Sequence, residues 1–237
     1  MVGQYRHHLH RDRRVSGDFR DMMRRVRLAA MAGIVLALAA CQAQPVWAPD
    51  EAVQAAAFRA DGPPTVTLMT MVNNQNGSGG HSALMIDGAQ RVLFDPAGSW
   101  YNPAVPERND VLFGMTPPAL DLYTDYHARE TYHIVVQELE VAPEVANYLI
   151  QQVQANGAVP MAQCALSIST ILSRAPGFEG NIRRGWYPLS LMDQFGALPG
   201  VRTSRIYDDD SDDNLELLQA QARAAQSREI AAQLGGD

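Results

Sequence analysis

Cys164 and His81 are the two residues of this chain that, placed side by side, would do chemistry. A thiol attacks a carbonyl well only as the thiolate. A helix N-terminus favours that form through its free N–H groups and the positive end of its dipole. Cys164 opens the apolar helical pattern Cys164-Ala-Leu-Ser-Ile-Ser-Thr-Ile-Leu172, and Pro160 just ahead reads as the start of that helix. An imidazole beside the sulfur would take its proton and hold it for a leaving group. His81 suits the role because it begins a strand. The run before it, Asn73-Asn-Gln-Asn-Gly-Ser-Gly-Gly80, reads as a flexible loop that leaves the ring open to substrate. Asp95 ends the strand expected to pair with that of His81, and a carboxylate there would hold the ring in one tautomer. His127 and His133 are rivals for this third place, and Gln163 offers a side-chain amide to an oxyanion or simply forms helix surface.

Each of these residues also has a plainer reading. Ile168 and Ile171 follow Cys164 at i+4 and i+7, so the cysteine could continue a core stripe as a small hydrophobe. Asp95-Pro96 is a common turn former, and His81 alone could be a strand-end surface residue. Other chemistries find less support. Ser82 and Ser99 lack the Gly-x-Ser-x-Gly elbow of a serine hydrolase. No His/Cys pair in 41–237 has ligand spacing, so neither metal nor cofactor is expected. The acidic run 208–214 lacks the alternating ligands and fixed glycine of a calcium loop and reads as a solvated linker.

The elements that must position these side chains follow from pattern. Strands are expected at 65–72 and 81–86, with a tight turn at Asp87-Gly88 and a hairpin partner at 91–94. Five prolines make 96–118 loop-rich, before a short helix at 120–126 and a β-branched strand at 131–141. Pro143 starts a helix that Gly157 stops. The cysteine helix should end near 175, followed by a short helix at 188–195, a strand at 201–207 and a C-terminal helix at 215–234. The class is α+β: a small antiparallel sheet packed against a cysteine-bearing helix.

The N-terminal region speaks to location. Arg24, Arg25 and Arg27 precede an apolar run of signal-peptide length, which ends Leu38-Ala39-Ala40-Cys41. That ending resembles the bacterial lipoprotein box, which implies lipidation of Cys41 and anchoring in the cell envelope, facing the periplasm. Gln42 follows the cysteine where an Asp would suggest inner-membrane retention, so the outer membrane is the preferred site. Residues 1–21 fit no signal peptide, and translation is expected to begin at Met22 or Met23. Residues 1–40 are therefore leader, 41–64 a Pro- and Ala-rich tether, 65–207 the domain, and 208–237 an acidic linker with its helix. Removing the eight arginines and three acids of 1–40 leaves 11 basic against 23 acidic residues. Such a chain would be repelled by phosphate, which excludes nucleic acid as a partner. With Cys41 lipidated, Cys164 has no disulfide partner among the two cysteines.

The order of these features resembles a known family. Gly80-His81-Ser-Ala-Leu-Met-Ile86, a hairpin, further helices and then Gln163-Cys164-Ala-Leu-Ser-Ile-Ser-Thr-Ile-Leu172 is similar to the circularly permuted branch of the NlpC/papain-like superfamily. That branch includes lecithin–retinol acyltransferase-like proteins and bacterial envelope lipoproteins. The resemblance spans 65–195 and implies a permuted papain-like fold, with Cys164 as nucleophile, His81 as base and Asp95 as orienter. It implies hydrolysis of an amide, a cell-wall peptide first, with acyl-ester hydrolysis or acyl transfer as the alternative. A non-catalytic envelope module of the same fold is the competing class. Relatives often carry Asn before the cysteine and an aromatic or acidic residue after it, whereas here Gln163 and Ala165 flank it.

Overall fold

The computed structural model describes residues 22–27, 31 and 43–234. Cys41 and the apolar run before it, Met31 apart, lie outside the described residues. Residues 22–27 are helical, and the chain from Ala43 onward forms a unit of its own. No helix among the described residues is long and apolar enough to cross a membrane.

The class is α+β, built on a seven-stranded sheet in which every pairing is antiparallel. Its strands are β1 (Thr65–Asn73), β2 (Gly79–Asp87), β3 (Arg91–Phe94), β4 (Glu107–Arg108), β5 (Val111–Phe113), β6 (Tyr132–Glu140) and β7 (Arg202–Ile206). They run in the order β4-β5-β3-β2-β1-β6-β7. The sheet is thus larger than the small one expected. The helices are α1 (Asp50–Ala55), α2 (Pro117–His127), α3 (Pro143–Ala155), α4 (Cys164–Leu172), α5 (Pro188–Gly196) and α6 (Leu215–Leu234).

Alternation along the strands divides the core in two. Val66 and Leu68 of β1, with Leu84 and Ile86 of β2, face a layer formed by α3, α4 and α5. Met69 and Met71, with Ala83 and Met85, face α2 and Trp100 on the other side. Both central strands are covered on both faces, so 65–72 is buried throughout, its three threonines included.

Three features of the chain path bear on the site. First, β3 pairs with β2 only from Leu84 to Asp87, so residues 79–83 of β2 have no strand on that side. Second, β1 and β2 are in step from Thr65↔Asp87 to Met71↔His81, after which Val72 pairs with Gly79. Gly80 is the extra residue of that irregularity, immediately before His81. Third, the segments read as tether and linker are built into the unit. In the first, Trp47 bridges to Arg108, Phe58 accepts a hydrogen bond from the Arg91 amide, and Val53 packs against the core. In the second, Glu130 N–H donates to the Asp210 carbonyl, and Arg129 pairs with both Asp125 and Asp210. The acidic run is thus tied at Asp210 to a buried guanidinium, while 209–213 stay exposed as expected of a solvated segment.

Candidate active site

Cys164 is the first residue of α4, as its pattern suggested, but Pro160 does not open the helix. Between them Ala162 takes a left-handed conformation at φ 63°, and Gln163 is the residue that precedes the first turn. Proline would have placed the cysteine a full turn inside the helix. The observed break instead leaves its sulfur at the end, where the amides of α4 are unpaired. The thiol is free and nearly buried, with 6% of its surface exposed.

The residues before His81 also differ from their expected role. The loop is confined to 74–78 and is ordered by Asn73, whose side-chain oxygen accepts from the amides of Gln75 and Asn76 at 3.0 and 3.1 Å. Gly79 and Gly80 belong to β2. Glycine at position 80 answers to packing: a Cβ there would sit 2.7 Å from the ring of Tyr132. The irregularity at Gly80 re-aims the strand next to the imidazole, a common use of bulges beside functional groups.

At the vacated edge of β2 the expected residues come together. His81 Nε2 lies 2.6 Å from Asp95 Oδ1. Asp95 follows β3 directly and is buried, and its Oδ1 also accepts from the Tyr123 hydroxyl at 2.8 Å. With Nε2 committed to the carboxylate, Nδ1 is the nitrogen left for the thiol. Cys164 and His81 stand close enough to shift each other's pKa, and the backbone amides of Ser82 and Ala165 also act on the thiol. Ser82 lies in the stretch of β2 that β3 leaves uncovered.

The charges reinforce one another. Burial opposes a charge on His81, but the Asp95 carboxylate, the hydrogen bond to it and the neighbouring thiol outweigh this and push its pKa up to about 10. Burial likewise opposes ionisation of Cys164, yet the hydrogen bond and positive charge of His81, with the two amides, hold the thiol below its usual value. Asp95 is lowered too, against its own burial, by His81 and by the Tyr123 hydroxyl. Tyr123 is pushed well above the ordinary phenol range by burial and by Asp95, so it remains a donor. Both shifts favour a thiolate beside an imidazolium.

The rivals for third place are placed elsewhere. His133 sits opposite Val72, one residue out of step with His81, so it leaves the other face of the sheet, binding Asn74 Oδ1 at 2.7 Å and stacking on Tyr207. His127 does reach the site, but as a wall and not as the orienter. Its ring lies nearly parallel to His81, with centroids 6.1 Å apart, and its Nδ1 is 2.8 Å from the Tyr123 carbonyl. Gln163 adjoins the cysteine, and its side chain makes no capping bond to α4.

Two positioning residues escaped the sequence reading. Tyr123 supports Asp95 from α2, 28 residues further along the chain. Gly98 lies against the same carboxylate: a Cβ there would stand 1.9 Å from Asp95 Oδ2. The Asp-Pro-x-Gly turn was the available signal for Gly98, while nothing local marked Tyr123.

A cleft of about 430 Å³ opens on the His81 side. Met71, Gly80, Tyr126, His127 and Tyr132 line it, and Asp212 and Asn214 of the C-terminal segment close one wall. No family model matches this chain, and no curated protein or solved structure matches it.

Proposed function

We propose that this chain is a thiol-dependent hydrolase acting on an amide, with a cell-wall peptide as the expected substrate. The observation that carries the reading is His81 held between the Asp95 carboxylate and the Cys164 thiol, at a helix end and beside a cleft. Cys164 Sγ attacks the carbonyl carbon, and the carbonyl π-electrons move to oxygen. His81 gives its Nδ1 proton to the leaving nitrogen as the C–N bond breaks, which leaves a thioester. The neutral ring then takes a proton from water, whose oxygen attacks the thioester. Collapse expels the Cys164 thiolate and restores the imidazolium. Asp95 keeps the ring oriented and favours its charged form throughout. The permuted papain-like fold is part of this proposal, supported by the order of His81, Asp95 and Cys164 along the chain.

Location in the bacterial envelope, with Cys41 lipidated and the domain facing the periplasm, rests on the sequence of 22–41. Metabolic labelling with an alkynyl fatty acid tests it: label should appear on the wild-type chain and disappear in Cys41→Ala.

The catalytic reading predicts that iodoacetamide alkylates Cys164 at pH 6–7 about ten to a hundred times faster than an ordinary thiol, whose thiolate fraction there is small. His81→Ala should return the rate to the ordinary one. A slow wild-type rate, indifferent to His81, would instead make the chain a binding or scaffold module.

A further inference from the structure

His127 was left without a role once Asp95 proved to be the partner of His81, yet it lines the same cleft. Its tautomer is settled by geometry. The Tyr123 carbonyl can only accept, so the proton of a neutral His127 ring sits on Nδ1. Nε2 then carries a lone pair. Among the described residues Nε2 has no protein partner, and it is not among the sealed polar atoms that lack one. It therefore opens on the cleft as a free acceptor. The ring does stay neutral: burial and the positive charge of His81 outweigh the pull of Asp95 and the Tyr123 carbonyl, and lower its pKa to about 4.

The rest of the lining is largely paired within the protein. The Asp212 carboxylate accepts from the Thr131 amide and hydroxyl, and the Asn214 amide donates to the Tyr126 carbonyl. The one guanidinium nearby, Arg129, is already engaged by Asp125 and Asp210. The Tyr126 hydroxyl pairs with Ser99 at 3.2 Å. His127 Nε2 is thus an acceptor that the lining leaves open. It favours a ligand that brings an N–H group, because an ester or an alkyl chain would leave it unpaired.

We propose that His127 is a specificity residue whose Nε2 accepts a hydrogen bond from a backbone N–H of the substrate, so that the cleft takes a peptide. This rests on the reading of Cys164 and His81 as the reacting pair, and narrows its substrate class.

Two reagents test it on the full-length protein. N-acetyl-alanyl-alanine chloromethyl ketone alkylates Cys164 by forming the S–C bond and expelling chloride. Its analogue, methylated at the nitrogen between the two alanines, has the same leaving group but no N–H there. Each rate is divided by the iodoacetamide rate of the same variant, so that thiol activation cancels. Wild type should react with the N–H reagent about tenfold faster than with the methylated one, the upper end of what one net hydrogen bond contributes. His127→Phe, which keeps a ring stacked on His81, should abolish the difference.

Equal wild-type rates would overturn the assignment without any variant. So would a preference that survives in His127→Phe, since it would then come from the reagent's own conformation. A peptide reagent no faster than iodoacetamide would overturn it as well. An iodoacetamide rate indifferent to His81→Ala would instead count against the reacting pair itself.

Discussion

Asp95→Asn would remove one charge from the site while keeping an acceptor for Tyr123. With the carboxylate gone, burial is the dominant influence on His81, and the imidazolium that Asp95 holds up to about pH 10 is lost at neutral pH. Iodoacetamide alkylation of Cys164 at pH 7 should fall about tenfold or more, the scale of one unit of pKa. Stability carries its own signature. The contribution from His81, whose pKa is raised, is complete below its unfolded value of 6.5 and gone above about pH 10. That of Asp95, whose pKa is lowered, is complete above its unfolded 3.8 and fades as pH falls further. Wild type should therefore exceed Asp95→Asn in melting temperature most between about pH 4 and 6.5, with the gap closing toward pH 10. A gap that does not change with pH would mean that the carboxylate serves packing alone. Cys164, His81 and Asp95 were legible because each sits at the end of a patterned element. Tyr123 was not, because its partner is met only after the chain has folded back over the sheet.

At the scale of elements, the glycines before His81 serve close packing, which predicts the effect of filling that space. Gly80→Ala places a methyl 2.7 Å from the Tyr132 ring, at the irregularity in β2. It should lower stability by about 1–3 kcal/mol, as overpacking does, and slow alkylation of Cys164 by tilting His81; thermal unfolding and the iodoacetamide rate check the two effects separately. Had the run been the flexible loop its composition suggested, alanine would be harmless or mildly stabilising. The strands at 65–73, 79–87, 91–94 and 132–140 and the helices at 143–155 and 188–196 followed from alternation and from proline at helix starts. Strands β4 and β5, of two and three residues, did not. They lie in a proline-rich stretch and exist through pairing with each other and with β3, which no local pattern encodes. The start of α4 was misplaced for a related reason, since the turn at Ala162 uses a residue with no preference for left-handed backbone.

For the whole molecule, the segments flanking 65–207 are structural members. Composition marked both as solvated, since Ala, Pro and Asp runs carry little apolar surface, yet Val53 packs on the core and the C-terminal segment is tied by Arg129. Truncation after Tyr207 would strip Arg129 of Asp210 and Thr131 of Asp212. The Thr131 contact is exposed and adds little, but Arg129 is buried, so urea unfolding should show a loss of about 1–3 kcal/mol from its guanidinium. It would also remove the Asp212 and Asn214 wall of the cleft. Unchanged stability would return the segment to the status of a linker.

The short reach of β3 has a consequence beyond the site. A strand edge left bare invites another chain to pair with it, which is how sheets come to polymerise. Here the bare stretch is covered by helices: Gly79 lies against Pro188 and Leu189 of α5, and Cys164 at the end of α4 stands near Ser82. The cysteine helix is thus also part of the stopper of the sheet. Variants that loosen α4 should be judged by their tendency to self-associate as well as by their alkylation rates, because the helix end that carries the thiol also stands against this edge.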